Sequence, residues 1–394
     1  MKQVATILVG VVLTGALYGG AGPTSVEGRA RALAPFPRRI AVGTKPADIA
    51  FDQRTRRAFV VNMGQSVPST GTVTVLATDT GAVLRTVTSG LSPYAATVAP
   101  GVGRVFVSNE NLPPARGTIS VLDARSGALL QTILAGPVPF ALPDERTGRV
   151  FVLDEEGGLA MRDIATGALL RRTSVAGVSI AQTAMAVDRR DGRLFVVSRR
   201  PSVVREFDGR TLQLLRTLPV APARAEAQDI LVDPGIDRII VVSRATESSA
   251  MGYSSSAVTT LALRAGRLIG VTRFNQLIGT VREDRRTAHL FVTSQDQSAQ
   301  SGRVTMLDAR TGAALRAIAA PGGVESVAID EGRGRVFLAG GNGRIGELGS
   351  ANGASLQTFS LGGLLTLAVD DGTGRLFAAD AYTDTVAVRG PFSY

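Results

Sequence analysis

The stretch GRVFVSNENLPPARGTISVLDARSGALLQTI, residues 103–133, recurs in imperfect copies from Arg54 almost to the end of this 394-residue chain. The copies align most clearly at the segment FVSN, which begins at Phe106. The other seven copies of this segment begin at Phe59, Phe151, Phe195, Ile240, Phe291, Phe337 and Phe377. Successive copies start 40 to 51 residues apart, a period that indicates a repeat architecture and is close to the length of a four-stranded blade.

Each copy contains four short apolar segments. They correspond to SVAID (326–330) in one copy and to RVFV, TISVLD and ALLQTI in another. The RVFV segment is apolar at consecutive positions, so both faces of its strand require cover, as in a sheet that is packed between two neighbouring sheets. The sequence therefore predicts an all-β protein, a β-propeller of four-stranded antiparallel blades.

The turns of the repeat support this interpretation. Between the third and fourth segments lie DARSG (123–127), DIATG (163–167) and DARTG (308–312). An Asp side chain can accept hydrogen bonds from N–H groups two residues on, and Gly tolerates the positive φ that closes such a hairpin. Similar Gly-bearing turns separate the first and second segments, so neither set of turns is expected to be catalytic.

The segments FVVN and FVSN, followed by GTVTVL and GTISVLD and then by a TGAVLRTV-type strand, resemble the YVTN-type β-propeller repeat. The resemblance covers residues 40–391. It implies a propeller fold and a relationship to lactonase-like propellers. The chain has Phe where that repeat favours Tyr, and it keeps the final Asn only at Asn62 and Asn109.

The two ends of the chain complement each other in the repeat alignment. RRIAVG (38–43) matches the end of a fourth strand without a blade before it, whereas the C-terminal copy supplies three strands. A propeller closes its ring by combining strands from both termini, which leaves no free sheet edge. We expect eight blades, with the N-terminal strand completing the C-terminal blade. Seven blades is the alternative, with the fifth or eighth copy outside the ring.

Residues before the propeller indicate export. Residues 1–21 contain one Lys, an apolar run and a small-residue stretch, which predict a signal peptide; an uncleaved segment would instead anchor the chain in a membrane. Residues 22–39 are predicted to be a linker and residues 40–394 the propeller domain. The expected location is the periplasm, the cell surface or the medium.

The composition limits the kinds of catalytic and metal site that the chain can form. The chain has no cysteine, so thiol chemistry and thiolate metal sites are excluded. Its single histidine, His289, aligns with Arg104 at the start of a second strand and cannot build a centre that needs several imidazoles. No Ser-His-Asp set or Gly-rich phosphate loop is evident.

The net charge of +10 raises the question of a polyanionic partner. Residues 1–39 carry five Lys and Arg and one Glu, so the rest of the chain has a net charge of +6. Asp and Glu are interleaved with the arginines of the first turns, which favours charge compensation and disfavours nucleic-acid binding. These arginines are Arg54, Arg56, Arg57, Arg149, Arg189, Arg190, Arg193, Arg285, Arg286, Arg333 and Arg335.

The end of the blades opposite these Arg-rich turns is the candidate ligand-binding surface. We call it the funnel face; it carries the loops between second and third strands and the entries to the first strands. Asp48 and Asp229 enter first strands on blades one and five, which lie opposite each other in a ring of eight, and could hold Ca²⁺ or another divalent cation. The alternative is that strand-end Asn and Asp side chains bind backbone N–H groups. The predicted site residues are Asp48, Asn62, Tyr94, Asn109, Asp154, Glu155, Asp229, Asp380 and Tyr382.

Three hypotheses for function follow. The first is an exported, non-catalytic propeller, expected to be a monomer, that binds a protein or a small polar ligand on the funnel face and needs no cofactor beyond that cation. The second, implied by the resemblance, is a metal-dependent lactonase-type hydrolase that uses the carboxylates of the funnel face. The third is polyanion or DNA binding through the Arg-rich turns. The fold is compatible with all three.

Overall fold

A computed structural model of the chain describes residues 38–66, 68–110, 116–178, 184–220, 225–245, 255–295, 301–321, 323–363 and 365–390. The signal peptide predicted for residues 1–21 and most of the predicted linker lie outside these residues. The described part begins with strand β1 (Arg38–Ala41). It contains no helix long and apolar enough to cross a bilayer.

The strands β2 to β17 form four consecutive antiparallel sheets, blades 1 to 4. In each sheet the four strands pair in sequence order, and the first strand is the innermost. Their bounds are β2 Pro46–Asp52, β3 Arg57–Asn62, β4 Thr70–Ala77 and β5 Val83–Leu91 in blade 1; β6 Pro93–Ala99, β7 Arg104–Asn109, β8 Thr118–Asp123 and β9 Leu129–Leu134 in blade 2; β10 Phe140–Asp144, β11 Arg149–Leu153, β12 Gly158–Asp163 and β13 Leu169–Ser174 in blade 3; β14 Met185–Asp188, β15 Arg193–Ser198, β16 Val203–Asp208 and β17 Leu214–Pro219 in blade 4.

The remaining strands form blades 5 to 8 in the same order. Their bounds are β18 Ala225–Asp233, β19 Arg238–Ala245, β20 Ser255–Ala262 and β21 Leu268–Phe274 in blade 5; β22 Leu277–Asp284, β23 His289–Gln295, β24 Ser301–Asp308 and β25 Ala314–Pro321 in blade 6; β26 Ser326–Asp330, β27 Arg335–Ala339, β28 Arg344–Gly349 and β29 Ser355–Ser360 in blade 7; β30 Leu365–Asp370, β31 Arg375–Asp380 and β32 Thr385–Arg389 in blade 8.

Blade 8 is completed by β1, which pairs with β32 in antiparallel register from Arg38 opposite Val388 to Ala41 opposite Thr385. Ile40 is buried against residues of blades 1 and 8. The predicted ring closure and the count of eight blades are therefore confirmed. The seven-blade alternative is wrong, because the fifth and eighth copies each form a complete sheet.

The second strand of each blade supplies the core. At its first FV position a fully buried Phe recurs in seven blades, and Ile240 takes this place in blade 5. Both faces of these strands are covered, as the run of consecutive apolar residues predicted. Burying a side chain of this size contributes about 1.5–3 kcal/mol, so the repeated Phe is a major source of stability.

The predicted Asp-Gly turns are also present. In the turn between β8 and β9, the Asp123 carboxylate accepts the N–H groups of Arg125 at 3.1 Å and Ser126 at 2.7 Å. Gly127 has a φ of 70°, which L side chains rarely adopt. We call the end of the blades that carries these turns and the turns between first and second strands the turn face.

A second set of aspartates, which the sequence analysis did not single out, ends the first strand in every blade except blade 2. Asp52 is representative: it is buried, and one carboxylate oxygen accepts the N–H of Arg54 at 2.9 Å. Because these carboxylates satisfy the N–H groups of tight turns, they hold the turn face in shape. The series is Asp52, Asp144, Asp188, Asp233, Asp284, Asp330 and Asp370, with Ala99 in blade 2.

Candidate functional site

We call the last residue of each FVSN-type segment a peg, and the peg of blade 2, Asn109, links two blades. Asn109 is buried, and its side-chain NH₂ donates to the carbonyl of Thr118 at 3.2 Å and to the hydroxyl of Ser120 at 3.0 Å. Its amide oxygen accepts from the hydroxyl of Ser89 at 2.8 Å and the N–H of Gly90 at 3.0 Å, both in blade 1. Asn109 therefore joins the outer strand of one blade to the next blade.

The equivalent residues Asn62, Asp154 and Asp380 are buried in the same way. Asp154 accepts the N–H of Gly158 at 2.7 Å. Asp380 forms an ion pair at 3.6 Å with Arg39 of β1, which is the strand that closes the ring. Four of the predicted site residues thus have partners within the chain.

The first strands line the central channel of the propeller. Two of them, β2 and β18, carry Asp48 and Asp229, the carboxylates that we expected to face each other. Asp48 accepts the N–H of Ile49 and, from blade 2, the N–H of Ala96, both at 2.9 Å. Burial raises the pKa of Asp48. The pKa of Asp229 is raised to about 6, because the effect of burial outweighs the opposing charges of Arg282 and Arg244.

Arg282 of β22 is the channel residue that sequence reasoning missed. Its positive charge acts on both Asp48 and Asp229, the two carboxylates that we expected to hold a metal ion. A comparison of the repeats could have found it, because the other seven first strands have an uncharged residue at this position. Those residues are Ala50, Thr97, Leu142, Ala186, Leu231, Ala328 and Ala368.

A second group of charges lies on blades 2 and 3 of the funnel face. Burial, together with the neighbouring carboxylates of Glu110 and Asp154, raises the pKa of Glu155 to about 7. The pKa of Tyr94 is raised by burial and by the charges of Glu110 and Glu155. Glu110 was not among the predicted residues, although it holds the same repeat position as Glu155.

The two predicted tyrosines have different environments. Tyr94 is buried, and its hydroxyl donates to the carbonyl of Pro139 in blade 3 at 2.8 Å. Tyr382 is 64% exposed after the end of β31, and its backbone N–H donates to Asp380 at 3.0 Å. The structure thus brings Tyr94 together with Glu155 and leaves the Tyr382 side chain open to solvent.

The turn face is largely charge-compensated. Arg333 pairs with Asp330 at 3.4 Å and Arg335 pairs with Glu347 at 3.2 Å. His289 begins β23 as Arg104 begins β7, and its ring Nδ1 lies 3.0 Å from the carbonyl oxygen of Ser350 in blade 7. These contacts agree with a structural role for the repeated cations and for the histidine that replaces one of them.

Two shallow hollows lie on the turn face. One, of about 300 Å³, is lined by Asp188, Asp191, Arg193, Leu263 and Arg264. The other, of about 220 Å³, lies beside Pro143 and Glu145. Neither contains a predicted site residue.

A buried acid lies at the seam of blades 5 and 6. The Glu283 side chain is 5% exposed, and its Oε1 atom is buried without a hydrogen-bond donor from the described residues. Burial, together with the neighbouring carboxylate of Asp233, raises its pKa to about 8. Among the described residues, no group of three His, Cys, Asp or Glu side chains is arranged to hold a metal ion.

Comparisons with known proteins support the fold class. No protein-family model matches the chain, and no curated protein matches it significantly. Among solved structures, BamB from Moraxella catarrhalis superposes with a TM-score of 0.62 at 16% identity, over 90% of this chain and 98% of that chain. The computationally designed Ika8 protein has a TM-score of 0.66 at 16% identity, over 88% of this chain and 98% of that chain.

Hydrazine synthase from Kuenenia stuttgartiensis is more distant, with a TM-score of 0.58 at 11% identity, over 76% of this chain and 96% of that chain. At such identities the likeness shows the fold alone. The chain is an eight-bladed β-propeller. Its narrower resemblance to the YVTN-type repeat has no support from a family match.

Proposed function

We propose that the chain is an exported, non-catalytic propeller of YVTN-like repeats that binds a protein or a small polar ligand at the funnel face. The observation that carries this proposal is the set of charges in the channel. Asp48, Asp229 and Arg282 come from three different blades, and Arg282 acts on both carboxylates. Most equivalent positions in the repeat are uncharged, so the charges are not required by the blade itself.

Binding accounts for these charges without catalysis. A carboxylate in a partly desolvated channel costs free energy, and a ligand that pairs with it recovers part of that cost. Export is supported by the signal-peptide pattern of residues 1–21. The lactonase alternative lacks a supporting observation, because it needs a cluster of oxygen ligands around a divalent ion and Arg282 shares the channel with both candidate ligands.

Site-specific photo-crosslinking tests the proposal. A benzoyl-phenylalanine in place of the exposed Tyr382 reports on the funnel face, and the same residue in place of Arg189 reports on the turn face. In the exported fraction of the source cells, we expect a defined crosslinked product at Tyr382. The double change Asp48→Asn with Asp229→Asn should reduce its yield at least several-fold.

The matched control is Arg189→Ser, which should leave the yield at Tyr382 unchanged. Purified protein should also fail to hydrolyse simple lactones with or without added Ca²⁺. Crosslinks at Arg189 only, no product at Tyr382, or lactone turnover that is lost in the double variant would each contradict the proposal.

A further inference from the structure

The residue that follows each peg occupies one repeated place on the funnel face. Its backbone N–H donates to a carbonyl of the connection that enters the same blade: Glu110 to Ser92 and Glu155 to Pro137, each at 3.1 Å. The residues at this place, from blade 1 to blade 8, are Met63, Glu110, Glu155, Arg199, Arg244, Gln295, Gly341 and Ala381. The funnel face is therefore acidic on blades 2 and 3 and basic on blades 4 and 5.

The basic members have partners within the chain. Arg199 donates through Nε to Glu226 at 2.8 Å, and Glu226 is almost fully buried. Arg244 donates through Nη2 to the carbonyl of Ile278 at 2.9 Å. Both guanidinium groups are thus used in holding blade 5 to its neighbours.

The acidic members differ. Glu110 is only 8% exposed, yet neither a hydrogen-bond donor nor a cation among the described residues acts on its carboxyl group or on that of Glu155. The charge of Glu110 instead acts on the carboxyl group of Glu155. A nearly buried acid without a partner is costly to keep, and the cost is relieved when a positive charge arrives.

The available oxygen atoms fit an organic cation better than a metal ion. Ca²⁺ takes six to eight oxygen ligands, but the hydroxyl of Tyr94 donates to Pro139 and a carboxylate oxygen of Asp154 accepts from Gly158. No group of three acidic or histidine side chains among the described residues is arranged to hold a metal ion, and the two carboxylates without a donor are those of Glu110 and Glu155. Two carboxylates can accept the several N–H groups of one ammonium or guanidinium group as charge-assisted hydrogen bonds.

We propose that Glu110 and Glu155, on adjacent blades of the funnel face, form a binding site for an alkylammonium or guanidinium group. This inference rests on the proposed function, since it assigns a ligand chemistry to one sector of the same face. The cation comes either from a basic side chain of a protein partner or from a free polyamine, and both sources present the same hydrogen-bond donors.

The test is isothermal titration calorimetry of the full chain at low salt and pH 7.5 with four probes. These are spermidine, acetyl-Lys-Gly-Lys-Gly-Lys-amide, the same peptide with Gln in place of Lys, and Ca²⁺. We expect spermidine or the Lys peptide to bind at a single site, and we expect the Gln peptide not to bind. Tighter binding of the peptide than of spermidine identifies a protein side chain as the source, and the reverse order identifies a polyamine.

The variants Glu110→Gln and Glu155→Gln should each weaken binding at least tenfold, whereas Glu156→Gln, an exposed neighbour, should not. Binding at pH 6.5 should also release protons, seen as a dependence of the measured heat on the ionisation enthalpy of the buffer, because the carboxyl pair must ionise fully to bind the cation. A purely structural role for the two acids would produce neither proton release nor a difference between the Lys and Gln peptides.

Three results would overturn the inference: equal binding by the Glu110→Gln and Glu155→Gln double variant, Ca²⁺ binding tighter than every organic cation, or no binding of any cationic probe to the wild type. Its failure can be told apart from that of the proposed function. If the funnel-face crosslink at Tyr382 persists while the cationic probes do not bind, only the cation site is wrong.

Discussion

Glu283 is a carboxyl group at a repeat position where the other seven blades have an apolar residue. Those residues are Phe51, Val98, Pro143, Val187, Val232, Ile329 and Val369. In blade 1, the ring of Phe51 packs edge-on against that of Phe377, with centroids 5.1 Å apart. In blade 6 the acid takes this buried place beside Asp233 and Arg285, with Glu331 also acting on it.

The raised pKa of Glu283 predicts a loss of stability as pH rises. The folded protein holds a proton on this group up to a pKa of about 8, whereas the unfolded chain releases it near the ordinary value of 4.5. The unfolding free energy should therefore fall as pH rises from about 4.5 to about 8 and level off above that. Glu283→Gln should remove this slope and stabilise the protein at pH 7 by about 3 kcal/mol.

Urea denaturation of wild type and Glu283→Gln at pH 5.5, 7 and 8.5 provides the measurement. Glu156→Gln is the control, because Glu156 is an exposed acid and its change should leave the pH dependence as it is. The interpretation fails if Glu283→Gln is less stable than wild type at pH 8.5.

The pegs offer a second test with two matched residues. Asn109 uses both ends of its amide group, whereas the amide oxygen of Asn62 is buried without a donor among the described residues. Because Asn109→Ala removes contacts to blade 1 that Asn62 does not have on its side, we expect it to cost roughly 2–4 kcal/mol and Asn62→Ala about 1 kcal/mol less. Urea midpoints of the two variants measure the difference, and equal losses would mean that the Gly90 contact contributes nothing.

Strand β1 determines stability at the scale of elements. It supplies the outer strand of blade 8, buries Ile40 and pairs Arg39 with Asp380. Removal of residues 1–41 would expose the edge of β32 and open a gap in the core, which should cost on the order of 3–5 kcal/mol. Removal of residues 1–35 leaves β1 in place and should cost little.

Thermal and urea unfolding of the two truncated proteins would measure this difference. The shorter protein should also aggregate more readily, since an unpaired strand edge can pair with another chain. Equal midpoints would show that pairing of β1 with β32 does not stabilise the ring.

The outer strands show how the other blades manage their edges. In seven blades the register of the fourth strand shifts near its start, as between Met161 and Arg162 in blade 3. Exposed apolar residues such as Leu169 and Leu170 lie at these bulges. A bulge twists an edge strand away from regular pairing, so we attribute the repeated irregularity to protection against edge-to-edge association.

Charge distribution is a property of the whole molecule. Since many turn-face arginines pair with nearby carboxylates, the net charge of +6 outside residues 1–39 is spread and partly compensated. We expect only weak retention on heparin and a shallow dependence of binding on salt, equivalent to about one or two neutralised phosphates. Arg189→Ser with Arg190→Ser should change this retention little.

Heparin chromatography and salt-dependent binding to duplex DNA measure the effect. Tight binding at 150 mM salt that is lost in the Arg189→Ser and Arg190→Ser variant would restore the polyanion hypothesis.

The sequence by itself determined the architecture, because each blade is a local unit whose apolar segments and turns recur eight times. The FVSN copies located the buried second strands, and the unmatched segments at the two ends of the repeat region predicted the composite blade. A comparison of the same repeats could also have revealed two further charged residues: Arg282, at a position that is uncharged in the other blades, and Glu110, at the repeat position of Glu155.

Only the tertiary structure decided which of these charges have partners. Arg199 and Glu226 are 27 residues apart in the chain yet form an ion pair, whereas no cation among the described residues pairs with Glu110 or Glu155 on adjacent blades. The pegs were predicted as site residues because the sequence does not show that Asn109 reaches the Gly90 N–H of the preceding blade. Such contacts depend on how neighbouring blades pack, and packing between blades is not encoded in the period of the repeat.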